Sequence, residues 1–275
     1  MKRAAVFAIL AGTVLLAAAC GEKAEPTGAR VNLFPVTVSA GGSSPLTLDR
    51  APARVATLGA SAAALVSALE KGAAARPTIL NAVSADQLSS FRPDLVISAG
   101  AGSSTPGPEY VLQQDSITSA ERGIVDVGSL LGRPLQARAM LEHIEGQRKT
   151  VEHKVGNLPR MRVFLDTGFY ITVPTNSLAG DILSQAGGKS VAGRNPGPGP
   201  YDLALLRRRN PDFYLATSDS GIALKDLRRN PRTRGLRAVR LGHFGIIPAS
   251  YLQPGPDIGA GLFAVAKLLH PNAFR

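Results

Sequence analysis

The sequence predicts an α/β chain of two like lobes, each a parallel sheet flanked by helices, joined by one long helix. Three observations predict it. FRPDLVISAG at 91–100 is nearly repeated by RNPDFYLATS at 209–218, which sets Pro93 and Pro211 about one small domain apart. On either side of each copy, helix-like and strand-like runs alternate, the pattern of a parallel sheet covered on both faces. Between the copies lies the longest helical signal in the chain. With 275 residues and 44% hydrophobic content there is apolar material for two cores. The expected division is a Rossmann-like N-terminal lobe over 31–132, a linking helix over 133–157 and a Rossmann-like C-terminal lobe over 158–275.

The elements follow in order. Residues 1–19 read as a signal peptide: Lys2 and Arg3 precede the apolar AAVFAILAGTVLLAAA, which is shorter than a spanning helix needs. Cys20 is the only cysteine, so no intramolecular disulfide and no Cys-based metal site can form. The stretch LAAAC resembles the bacterial lipobox, with Ala17 where Leu is preferred. That implies lipid attachment at Cys20, a flexible tether over 20–30, and a place on the outer face of a cell membrane. VNLFPVTVSAGGSSPLTLD then reads as an antiparallel pair of short strands around a Gly-Ser turn. RVATLG at 54–59 is a buried strand, and SAAALVSALEKG a helix capped by Ser61 and closed by Gly72. SADQLSSF is a helix capped by Ser84 and leads into the DLVIS strand. GIVDV at 123–127 is expected to be a third strand.

In RPLQARAMLEHIEGQRKTVEHKV, Ala137, Met140, Leu141, Ile144, Val151 and Val155 fall at helical spacing, and Gly146 marks where a kink would fall. At 1.5 Å per residue this helix would be roughly 33 Å long. Past Pro159 the order of the first half restarts. MRVFLD is a strand, SLAGDILSQAGG and DLALLRRRN are helices, and DFYLAT is the second Pro-Asp strand. FGIIP is a last strand and IGAGLFAVAKLLH a terminal helix.

The formal net charge is +11, concentrated in RRR at 207–209 and KDLRRNPRTRGLRAVR at 225–240. Export argues against a nucleic-acid partner. The stripe is then a solvated face, or a surface for anionic lipid headgroups, an acidic ligand or a transporter.

Taken in order, FPVTV…LTLDRAPARVATLGASAAALVSAL, FRPDLVI, VFLDTG, DILSQAGGKSVAG, RRNPDFYLA, LRAVRLGHFGIIP and PGPDIGAGLFAVAKLLHP resemble the ABC-transporter substrate-binding proteins for vitamin B12, ferric siderophores and haem. The match covers residues 34–272. The resemblance implies a shallow ligand cleft between the lobes, no covalent chemistry and no resident cofactor. It also implies a monomer that captures a metal chelate or corrinoid and delivers it to a membrane permease.

Ligands in such folds sit outside the carboxyl ends of the strands. By that rule the candidates are Ser61, Ser98, Phe169 and Tyr170, joined in the second lobe by Tyr201, Ser218 and Tyr251. Aromatic rings suit a flat ring system, and a phenol adds a hydrogen bond. The resemblance further implies docking to the permease through one acid per lobe, seven residues before each Pro of the Pro-Asp strands. Asp86 stands at the first position. Ala204 stands at the second, with Asp202 two residues away as the substitute. The segment between Glu70 and Ser84 is shorter than the family carries, which leaves part of the cleft wall short. PGPD at 254–257 stands where many siderophore binders have PGPR.

Three rivals remain. GASAA at 59–63 approaches the G-x-S-x-G nucleophile elbow of esterases, with His243 or His270 as base, although Ala63 replaces the second Gly. Direct zinc or manganese capture would need converging ligands, and His143, His153, His243 and His270 do not cluster by spacing. A lipoprotein with this fold but no transport role, a scavenger or envelope interaction module, is favoured by Ala204.

Overall fold

The computed structural model describes residues 33–39, 45–82, 84–100, 105 and 107–275. The signal peptide, Cys20, the tether and the Gly-Ser turn at 41–44 lie outside the described residues.

The chain opens with an antiparallel pair, β1 (Val36–Val38) and β2 (Leu46–Leu48). The first parallel sheet follows. β3 (Arg54–Leu58) leads into α1 (Ala60–Leu69), β4 (Thr78–Ala82), α2 (Ala85–Phe91), β5 (Leu95–Ser98) and β6 (Glu109–Val111). Two helices come next, α3 (Ile117–Leu130) and the long α4 (Pro134–Val155), which runs unbroken through Gly146. The second sheet is built from β7 (Met161–Asp166), α5 (Leu178–Gln185), β8 (Gly188–Ser190), α6 (Leu203–Arg209), β9 (Phe213–Thr217), α7 (Leu224–Arg229), α8 (Arg237–Leu241) and β10 (Phe244–Ile247). After a 3-10 turn at Ala249–Leu252, α9 (Ile258–Leu269) ends the fold, followed by a second such turn at Pro271–Phe274.

The strand orders are β4-β3-β5-β6 and β8-β7-β9-β10, both wholly parallel. In order of appearance each sheet therefore runs second, first, third, fourth, and the Pro-Asp strands β5 and β9 occupy the same place. The repeated Asp has the same task in each. Asp94's carboxylate accepts from the amides of Ala53 and Arg54 at 2.8 and 3.0 Å, clamping the start of β3. Asp212's carboxylate accepts from the Arg162 amide at 3.3 Å, at the start of β7. The helices before the two Pro-Asp pairs also end alike, on the left-handed residues Arg92 (φ 49°) and Asn210 (φ 43°).

Strand alternation distributes the core to both faces of each sheet. In the first sheet, Val55, Leu95 and Ile97 pack toward α1, α3 and α4, while Ala56 and Val96 pack with Leu88 of α2. In the second, Val163, Leu165 and Leu215 pack toward α5 and α9, while Phe164, Tyr214 and Ala216 face α6, α7 and α8. The buried faces of α4 serve both lobes: Ala137 and Ile144 in the first core, Val151 and Val155 in the second. Glu70, at the end of α1, pairs at 3.0 Å with Arg133, which caps the start of α4.

Two sequence expectations are corrected. GIVDV at 123–127 is helical, inside α3. Ser116 and Ser119 form a capping box, and Ile117, Ala120, Ile124 and Val127 are buried at helical spacing, which overrides the β-propensity of the valines. Ser61 is not a cap. Gly59 holds that position at φ 92°, a conformation that favours glycine, and Ser61 is buried within the first turn of α1. β4 and β6, edge strands of the first sheet, carried no recognised signal: TILNA and EYV are short and half polar.

Candidate functional site

The end of β7 leads into a tightly constrained turn. Asp166, its last residue, is wholly buried, and its carboxylate accepts from the amides of Gly168 at 2.9 Å and Tyr170 at 3.1 Å and from the Tyr214 hydroxyl. Burial pushes the Asp166 carboxyl above the ordinary carboxylate range, and these hydrogen bonds pull against it. Burial, followed by the neighbouring Asp166 carboxylate, pushes the Tyr214 phenol upward as well. Tyr214 is itself fixed between the rings of Phe164 and Phe244, at centroid distances of 5.4 and 6.0 Å.

This buried acceptor folds TGFY into a tight turn in which both aromatics are left-handed, Phe169 at φ 46° and Tyr170 at φ 68°. Such a conformation costs about 1–3 kcal/mol per bulky residue and persists only where the surroundings impose it. The result is a Phe169 side chain left 71% exposed, although it is a large apolar ring. Tyr170 is half-buried. Its hydroxyl accepts from the Asn230 side-chain amide at 2.9 Å, and its carbonyl accepts from the Tyr201 amide at 2.9 Å. Tyr170, Tyr201, Asp202, Asn230 and Arg232 line a pocket of about 620 Å³.

The other candidates divide between exposed and buried positions. Ser218 and Tyr251 follow β9 and β10, so with Phe169 they lie beyond the carboxyl ends of three strands of one sheet. Ser218 is exposed, and Tyr251 is half-buried in the 3-10 turn Ala249–Leu252 against the second lobe's core. Tyr201 is almost wholly buried, its ring 5.4 Å from that of Phe164 and its hydroxyl donating to the Val191 carbonyl at 3.3 Å. In the first lobe, Ser98 ends β5 with a buried hydroxyl that has no partner, and Thr217 ends β9 in the same condition. Ser61 lies at the meeting of the lobes: a Cβ placed on Gly255 of the PGPD loop would sit 3.8 Å from its carbonyl oxygen.

Asp86 and Ala204 are the second residues of α2 and α6, so they occupy matching places, and both are exposed. Asp202 is the N-cap of α6, its carboxylate accepting from the Ala204 amide at 2.8 Å. Neither histidine weighed as a base is bonded to Ser61. The His243 ring nitrogen meets the Asp212 carbonyl at 3.1 Å and that of His270 meets the Gly187 carbonyl at 3.3 Å. Among the described residues no group of three or more His, Cys, Asp and Glu converges on a point.

Sequence reasoning missed Asp166, Tyr214 and Asn230. Asp-x-Gly after a strand is a turn signal that would have exposed the first. The other two hold Asp166 and Tyr170 from residues 48 and 60 positions away, which only the fold reveals.

Two parallel sheets of matching strand order, with an exposed aromatic turn at the carboxyl edge of the second, make up the fold. Over its whole length the chain is similar, at 19% identity and covering 99% of the relative, to an uncharacterized ABC transporter substrate-binding lipoprotein of Bacillus subtilis, YvrC. This bears out the resemblance drawn from the ordered motifs. No protein-family profile matches. Among solved structures, a periplasmic binding protein of Veillonella parvula superposes with a TM-score of 0.71 at 15% identity, covering 86% of this chain and 97% of that one. CeuE of Helicobacter pylori with Ni(II) bound gives 0.70 at 15% identity, covering 87% and 90%. A periplasmic heme-binding protein of Pseudomonas aeruginosa gives 0.63 at 19% identity, covering 80% and 93%. At these identities the structures establish the fold, and the fold is that of the periplasmic binding proteins.

Proposed function

We propose that the chain is the substrate-binding lipoprotein of an ABC importer, anchored through Cys20, which takes a metal chelate or corrinoid into the cleft and passes it to a permease. The observation that carries this reading is the TGFY turn. A strained backbone held by a buried Asp-Tyr pair keeps a large apolar ring in water, and strain of that kind is maintained where a surface has to meet something. The aromatic and hydroxyl side chains at that edge, Phe169, Tyr170, Ser218 and Tyr251, suit the flat face of a ring system. Support comes from the lipoprotein relative, from CeuE with Ni(II) bound and from the periplasmic heme-binding protein.

The test is calorimetric titration of the chain from residue 21 with haem, cobalamin, several ferric siderophores, zinc and manganese. Submicromolar binding of one chelate, weakened about tenfold or more by Phe169→Ala or Tyr170→Ala, is expected. A folded protein that binds none of them sinks the proposal. The second reading, a lipoprotein with this fold and no permease, is favoured by Ala204, which leaves one lobe without an acid where the other has Asp86. Binding without delivery when Asp86→Ala changes nothing in an uptake assay would support it.

A further inference from the structure

Residues 203–241 hold ten Lys and Arg against three Asp, and so carry +7 of the chain's formal +11. All ten cations are exposed: Arg207, Arg208 and Arg209 at the end of α6, Lys225, Arg228 and Arg229 on α7, and Arg232, Arg234, Arg237 and Arg240 beyond it. They share one layer, because α6, α7 and α8 pack on the same face of the second sheet through Leu206, Leu227, Ala238 and Val239. The layer is continuous. The Arg237 amide donates to the Asn210 side chain at 2.8 Å, joining the end of α6 to the start of α8, and a Cβ on Gly242 would lie 3.5 Å from the Arg228 guanidinium. Its acids do not neutralise it. Asp226 accepts from the Ala223 amide, and the ion pair Arg237–Asp212 is the one found in this layer among the described residues.

We infer that this face is a docking surface for the anionic phospholipid headgroups of the membrane to which the protein is tethered. The cations are spread over three helices and the turn between α7 and α8, and converge on no cavity; Arg232 alone of them lines the pocket beside Tyr170. A spread of hydrated charges matches a plane of phosphates better than a single bound anion. Leu241, beside Arg240 at the end of α8, is 52% exposed, and an apolar residue set among basic ones is the composition that interfacial binding uses. The inference rests on the Cys20 anchor of the proposed function for its geometry. Twelve residues lie between Cys20 and Leu33, and the thirteen steps at ~3.5 Å each bound their separation at about 45 Å. A tether of that length raises the concentration of headgroups that the folded chain meets.

The test uses the unacylated chain from residue 21, whose cores all lie within 33–275. It is sedimented with vesicles of phosphatidylcholine alone and with about 30% phosphatidylglycerol added. Pelleting with the anionic vesicles only, and its loss in about 0.5 M salt, is expected because screening shortens the field to a few ångströms. Each cation near such a surface strengthens binding about fivefold, so Arg228→Glu, Arg229→Glu and Arg240→Glu together should weaken it ~100-fold or more. The matched reversal Lys71→Glu, Arg138→Glu and Lys149→Glu, on α4 and the first lobe, should weaken it far less. No pelleting, equal pelleting on neutral vesicles, or equal loss in the two triple variants would each overturn the inference. Because the chain tested has no acyl group and no ligand, such a failure leaves the anchor and the cleft untouched. Those are read separately from the mass of the membrane-extracted chain and from calorimetry.

Discussion

At Asp166 three donors meet one buried carboxylate, and one of them, the Tyr214 hydroxyl, comes from the neighbouring strand. Tyr214→Phe keeps the ring between Phe164 and Phe244 and removes that donor; a urea titration should show a loss of about 1–3 kcal/mol. Phe169→Gly should act in the opposite direction on stability. Its ring is mostly in water, so little packing is lost, and relief of the left-handed conformation should raise stability by about 1 kcal/mol. Ligand binding should fall in the same variant, and a gain in both would refute the role given to the turn. Burial also raises the phenol of Tyr110, whose hydroxyl donates to the Asp126 carboxylate at 2.8 Å. With both folded values above the unfolded value of about 10, the stability these phenols contribute is intact below that pH and is lost progressively as the pH rises above it toward the folded values. The urea midpoint should therefore fall above about pH 10, less steeply in Tyr110→Phe.

Elements were legible where their period was long and their ends were marked. The six apolar positions of α4 and the start of α9 were readable as helices, and the Pro-Asp repeat located β5 and β9, because each combines a buried run with a turn residue. α3 was misread in part because GIVDV taken alone satisfies a strand pattern; the capping serines seven and four residues before Gly123 were the deciding signal. The site was less legible. Phe169 and Tyr170 were named from their place after a strand, whereas the groups that hold them come from other elements. Nor does periodicity reveal how closely two helices approach. On α9, a Cβ at Gly259 would meet Gln147 of α4 at 2.1 Å and the Ile144 Cα at 3.1 Å, and one at Gly261 would meet the Tyr251 carbonyl oxygen at 2.2 Å. Gly261→Ala cannot be absorbed by a flexible side chain, because the obstacle is backbone. It should cost about 1–3 kcal/mol and displace the turn bearing Tyr251, lowering ligand affinity along with the melting temperature.

Across the whole molecule, the lobes are joined by more than α4. Asp181 of α5 accepts from the Ile117 amide at the start of α3 at 2.9 Å, and the Leu178 amide donates to the Gln114 carbonyl at 2.6 Å. Ile117 is wholly buried, so Asp181→Ala strands its amide and should lower stability by about 1–3 kcal/mol, read from the urea midpoint. That seam has a consequence for how the chain comes to be folded. A polypeptide is delivered amino end first, and the clamp on β3 is complete once Asp94 has emerged, whereas the start of α3 waits for Asp181, 64 residues after Ile117. In that interval the first sheet is already assembled beside a helix whose first amide, that of Ile117, still lacks its acceptor across the seam, and a protease meeting the nascent chain should cut there first.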